Sequence, residues 1–227
     1  MTTGQTRAKN IGGLHTMKSN LSRWIILNIV LFSLGIGLGA AHYPIDFDGL
    51  RCPAYEGDTL TECFQFGAFL GLMTGIVIGL GQAFFLSRQL GWRRKQMMSW
   101  VAVTAAAFSL GHALGDSVPV PQRLPWSAFA MGLLSGFMLG GLQWLVLRNT
   151  GAQATRWLWQ SIIGFGVGLA LVGVAASFLL DSNRNSVFGW NGLVDLMIFV
   201  ALEGLLVGGI WATLTGRTVF TNKSSSR

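Results

Sequence analysis

Charge is scarce in this sequence. Asp, Glu, Lys and Arg together make up 11% of the 227 residues, against 51% hydrophobic residues and a mean hydropathy of +0.51. A soluble domain with a polar surface cannot have that profile. Histidine and cysteine are scarcer still, at three and two residues. Two cysteines without nearby histidines make a poor zinc site, so no metal-ligand spacing is available. Phosphate-binding loops and paired catalytic carboxylates are missing as well, which leaves no enzymatic site to expect and no indicated cofactor. Short alternating strands, the signature of a transmembrane β-barrel, are also absent.

What is present is long apolar sequence. Crossing about 30 Å of hydrocarbon takes roughly 20 helical residues, and runs of that length lie near 24–42, 66–86, 98–116, 126–147, 157–180 and 191–214. Backbone in lipid must satisfy its own hydrogen bonds, so the spans are helices. The expected fold is all-α, a polytopic bundle of six transmembrane helices over residues 24–216. It is flanked by a disordered basic tail, 1–23, and a short C-terminal tail, 217–227. The first span is read as an uncleaved helix, because its apolar core is too long for a signal peptide. Met17 is an alternative start.

Thirteen of the sixteen Lys and Arg fall in the two tails and the second and fourth loops. All nine acids lie on the other side or within a span. By the positive-inside rule both termini are cytoplasmic. The net charge of +7 then reflects topology and attraction to anionic lipid, with no nucleic-acid partner implied. Trp24, Trp92, Trp100, Trp144, Trp157, Trp159 and Trp211 collect at the cytoplasmic ends of the spans, where interfacial belts are expected.

The extracytoplasmic loop 43–65 carries five acids and both cysteines. A disulfide between Cys52 and Cys63 is the expectation there. It would close a 12-residue segment and restrain the loop by on the order of 3 kcal/mol. Free thiols, or a redox or metal role, are the alternatives.

Glycine is abundant, at 31 residues, and it is ordered. Gly67, Gly71, Gly75 and Gly79 recur every fourth residue in span two; Gly132, Gly136 and Gly140 do so in span four. Each set forms one strip along its helix and reads as a packing face, where small residues let backbones approach. Clearing space for a flat ligand or a substrate path is the alternative. The repeat extends past both strips: Gln82 matches Gln143 and Leu86 matches Leu147 at an offset of 61, and the next helices align loosely at 57, Gly111 with Gly168. The units are helical hairpins of about 60 residues, and they are parallel repeats, unlike the inverted repeats of many secondary transporters. Span six echoes the pattern only faintly.

The string GGLQWLVLR, followed by the tryptophan-led WLWQSIIGFGVG, resembles a motif of uncharacterised multipass proteins of cyanobacterial and Chloroflexi type, over residues 66–173. That resemblance implies a bacterial inner membrane and no known activity. GLLSG, residues 132–136, resembles the G-x-S-G of rhomboid proteases with one residue too many, and no later histidine stands ready to serve Ser135 as base. Six-helix components of energy-coupling-factor vitamin transporters are similar in size and helix count alone.

Function must therefore come from polar residues inside the spans. Gln82 and Gln143 suit interhelical amide bonds, each contributing about 0.6–2 kcal/mol. His112 and Asp195, at matched depth, suggest an orienting contact, a proton site or, with His42, a pigment ligand set. Glu203 lies near mid-membrane, about 18 Å into the last helix at ~1.5 Å per residue. There it should face the interior, protonated or hydrogen-bonded by the span-two and span-four glutamines. Two functions follow: a non-catalytic packing or assembly subunit, partnered by lipid, other membrane subunits or its own copies, or a small-solute carrier built on Glu203 and a glycine-lined interior.

Overall fold

The computed structural model describes residues 3–41, 60–117, 125–148, 150, 153–181 and 192–221. Helices α1 (Thr3–Ala41), α2 (Leu60–Leu90), α3 (Arg94–Ser117), α4 (Pro125–Leu147) and α5 (Ala154–Asp181) are followed by α6 (Gly192–Glu203), a π-helical turn (Gly204–Gly208) and α7 (Gly209–Thr221). No strand occurs among the described residues. Five stretches are long and apolar enough to cross a membrane: Lys18–Leu38, Gly67–Leu90, Arg94–Leu114, Ala128–Leu147 and Ala154–Ala175. Each of α1 to α5 packs on the next, α5 packs on α7, and α7 and the π-turn close back on α1, so the helices form a ring.

The ring is apolar outside and polar within. Ile26, Phe84, Phe137 and Ile163 are all more than half exposed, whereas Asn28, Thr104, Gln82, Gln143, Ser161 and Thr215 are fully buried. Water would invert that distribution; lipid allows it, and the protein is a multipass membrane protein.

Where the chain reverses between α2 and α3, Gly91 adopts φ +67° and its N–H bonds the Ser87 carbonyl at 2.9 Å. That left-handed cap needs glycine. At the other end, α1 begins at Thr3, ahead of the expected start of the first span. Within it, Leu21 lies against the core and the Asn20 side-chain amide donates to Gln89 at 3.3 Å.

The glycine strips seat one helix on another's backbone. A Cβ on Gly75 would meet Ala105 Cα at 2.6 Å and the Thr104 carbonyl at 2.9 Å. One on Gly136 would meet the Ser161 carbonyl at 2.5 Å and Ile162 Cα at 2.8 Å. In the last segment the same holds at Gly208, where a Cβ would lie 3.0 Å from the Asn28 carbonyl and 3.2 Å from Phe32 Cβ. All three positions sit against a helix that carries a phenylalanine four residues beyond the touched carbonyl. Gly71, Gly132 and Gly204 lie one turn further along, against Phe108, Phe165 and Ser33 respectively, and Gly67 is buried.

The tryptophans depart from the expected belts. Trp24, Trp100, Trp157 and Trp211 are 0% exposed and pack edge-on or tilted against one another, with ring centroids 5.5 Å apart for Trp100–Trp157 and Trp157–Trp211 and 6.0 Å for Trp24–Trp211. Helix-end position alone suggests a belt; the face each indole occupies decides otherwise. Trp159, two residues from Trp157 and on another face, is 60% exposed.

Candidate functional site

Two layers of side chains fill the middle of the ring. The first is a set of hydrogen-bonded indoles and amides. Gln82 donates to Asn28 Oδ1 on α1 at 2.7 Å and accepts from Trp100 Nε1 on α3 at 3.1 Å. Gln143 repeats both bonds one hairpin later, donating to Thr104 on α3 at 3.0 Å and accepting from Trp157 Nε1 on α5 at 3.0 Å. Each amide thus ties together three helices, and all its partners are buried.

The last segment answers differently. Counting seven residues on from Gly75 and Gly136 reaches Gln82 and Gln143; seven on from Gly208 is Thr215. Its hydroxyl donates to its own helix, to the Trp211 carbonyl at 2.8 Å. Trp24, which stands on α1 as Trp100 and Trp157 stand on α3 and α5, therefore finds no amide, and its Nε1 is unpaired among the described residues. The donor that the third glutamine would have sent to α5 comes instead from Trp211, whose Nε1 bonds Ser161 Oγ at 3.0 Å.

The second layer is aromatic. Phe32, Phe108 and Phe165 stand eight residues after Trp24, Trp100 and Trp157. Their ring centroids form a nearly equilateral triangle, 5.6, 5.7 and 6.1 Å on a side. One helical turn further come Ile36, His112 and Leu169, on the same face of each helix. Between the phenylalanine triangle and this second trio lies a cavity of about 250 Å³.

Glu203, Ser135 and Met131 also line it. Glu203 directly precedes the π-turn, in which the Gly209 N–H reaches the Gly204 carbonyl five residues back. Such wide turns recur at functional sites because they re-aim side chains. His112 stacks on Phe108 with centroids 6.3 Å apart. Among the described residues, Glu203, His112 and Ser135 are the polar side chains of the cavity, and no lysine or arginine lines it.

Several expectations need correcting or placing. The glutamines do not serve Glu203, because both amides are committed to the indole layer. The side chains of Asp195 and of His42 lie outside the described residues, as does the Cys52 and Cys63 pairing. Among the described residues no three His, Cys, Asp or Glu side chains gather as metal ligands. A second hollow, of about 610 Å³, is an apolar groove between α2 and α3 edged by the exposed Leu72, Met98 and Leu110, and it carries no convergent polar groups. Sequence reasoning missed the cavity's floor; the signal was there in the eight-residue Trp-to-Phe spacing shared by three helices.

No protein-family model, curated protein or solved structure matches this chain.

Proposed function

We propose that this chain is a six-span carrier or receptor subunit of a bacterial inner membrane that binds a small solute in its central cavity. The carrying observation is the cavity itself: about 250 Å³ of space in the bundle interior, reached by Glu203, His112 and Ser135. Pockets for drug-sized ligands run to roughly 300–1,000 Å³, so the solute is smaller than those. A dry, filled interior would have favoured a packing subunit. An acid within a span is costly and, where it meets a cavity, is a functional group by default.

The same reading takes α6, the π-turn and α7 as a sixth span, with both termini cytoplasmic on the charge distribution. It takes the bundle as three parallel helix pairs: α2 with α3, α4 with α5, and the last span with α1. Three correspondences support it: the matched glycine contacts, the matched glutamine bonds in two pairs, and the phenylalanine triangle. The indole layer is the scaffold. The cavity is where the three pairs differ: Glu203 stands at the position of Leu70 and Met131, and His112 at that of Ile36 and Leu169.

The test is a panel of small cationic, neutral and anionic solutes, scored by the melting temperature of the purified full chain in mild detergent. At least one solute should raise the melting temperature of the wild type and leave that of Leu169→Trp, whose indole fills the cavity, unchanged. Solutes that act equally on both proteins, or none that acts, would contradict a solute-binding cavity.

A further inference from the structure

Building on the solute-binding reading, we infer that the solute is a small organic cation, an amine or quaternary ammonium attached to an apolar body. The charge of the wall comes first. Among the described residues, Glu203 is the only lysine, arginine, aspartate or glutamate that lines the cavity, and none of them sets a cationic side chain in the wall to pair with its carboxylate. An ionised acid in such a place is stabilised by a mobile cation and opposed by an anion.

The floor makes the same selection. Phe32, Phe108 and Phe165 pack within 5.6–6.1 Å of one another beneath the cavity. Aromatic rings attract cations, and clusters of them are a known way to hold ammonium groups. The Ser135 hydroxyl oxygen and an unprotonated ring nitrogen of His112 can each accept a hydrogen bond from an ammonium N–H. The remaining wall, Ile36, Met131 and Leu169 among it, is aliphatic and suits the body of the ligand. Neutral sugars would leave most of their hydroxyls unpaired against this lining, at a cost for each.

The cavity's place in the helix pairs sharpens the point. Positions 36, 112 and 169 correspond, as do 70, 131 and 203, and only His112 and Glu203 among these six are polar. Both departures fall in one cavity. A packing role needs neither.

Three ligands of one shape separate the possibilities: benzylammonium, benzyl alcohol and benzoate, titrated calorimetrically into the full chain at pH 7. Benzylammonium is expected to bind at least ten-fold more tightly than the alcohol, with benzoate weakest, and Glu203→Gln should reduce its affinity at least ten-fold. Should Glu203→Gln fail to fold, the charge order on the wild type and its loss in Leu169→Trp decide the matter alone. Alcohol or benzoate binding as tightly as the amine, blocked by Leu169→Trp, would overturn the cation inference and leave the solute reading standing. Amine binding that survives Glu203→Gln, or binding that persists in Leu169→Trp, would also overturn it. If none of the three binds, the inference fails, and the solute panel judges the broader reading by itself.

Discussion

Adding one methyl group to Gly136 and one to Gly141 should move stability in opposite directions. The two glycines are five residues apart on α4. A Cβ at Gly141 meets nothing within 4 Å, while one at Gly136 lands 2.5 Å from the Ser161 carbonyl, 2.8 Å from Ile162 Cα and 3.0 Å from Phe165 Cβ. Ordinary contact begins near 3.4 Å, so α4 and α5 must separate by roughly 0.9 Å before the methyl fits. Two of the three obstacles are backbone, which cannot rotate away. Overpacking of this kind costs about 1–3 kcal/mol, against a gain of up to about 1 kcal/mol from replacing a helical glycine by alanine. Gly136→Ala should therefore lose on the order of 1–2 kcal/mol net, and Gly141→Ala should gain up to about 1 kcal/mol. The separation also pulls Trp157 away from Gln143, whose bond is 3.0 Å long. Reversible unfolding in mixed micelles, followed by tryptophan fluorescence, reads both. If the two alanines shift the transition the same way, the strip does not hold α4 against α5 and the packing account fails.

Other outcomes follow from the same geometry. Gln143→Leu and Trp157→Phe should each destabilise, but the double variant should lose less than the sum, by about 0.6–2 kcal/mol, because each single change strands the other's polar group; strict additivity in a double-mutant cycle would remove the bond. Trp157→Ala, at a fully buried indole, should cost about 3–5 kcal/mol, whereas Trp159→Ala, 60% exposed, should barely move the melting curve; equal losses would return the indoles to the interface. A reporter fused after Arg227 should behave as cytoplasmic, and a periplasmic signal would overturn the orientation and the sixth span with it.

Five of the spans and the glycine strips were readable because both rest on local spacing: apolar runs near 20 residues and a four-residue period. The burial of Trp24, Trp100, Trp157 and Trp211 could not, because residue counting gives depth along the span and says nothing of which face meets lipid. The likeness of Gly208 to Gly75 and Gly136 was hidden for three reasons. Ala212 replaces the next glycine, Thr215 replaces glutamine, and the helix they pack on is α1, at the far end of the chain. The π-turn beside Glu203 has no sequence sign beyond its glycines. A cavity, finally, is the space left where side chains from α1, α3, α4, α5 and the last segment fail to meet, and no single stretch encodes it.

The central claim is that this space admits small molecules in the folded protein, and a cysteine placed in its wall asks that directly. Ser135→Cys, in a chain with Cys52 and Cys63 replaced by serine, would be treated with a small methanethiosulfonate reagent in native detergent solution and weighed by mass spectrometry. The account predicts one added label per folded chain, slowed by a bound amine and abolished by Leu169→Trp. A cysteine at 135 that stays unlabelled until the protein is unfolded would mean that the interior is closed, and the bundle would then be a packing scaffold with no solute site.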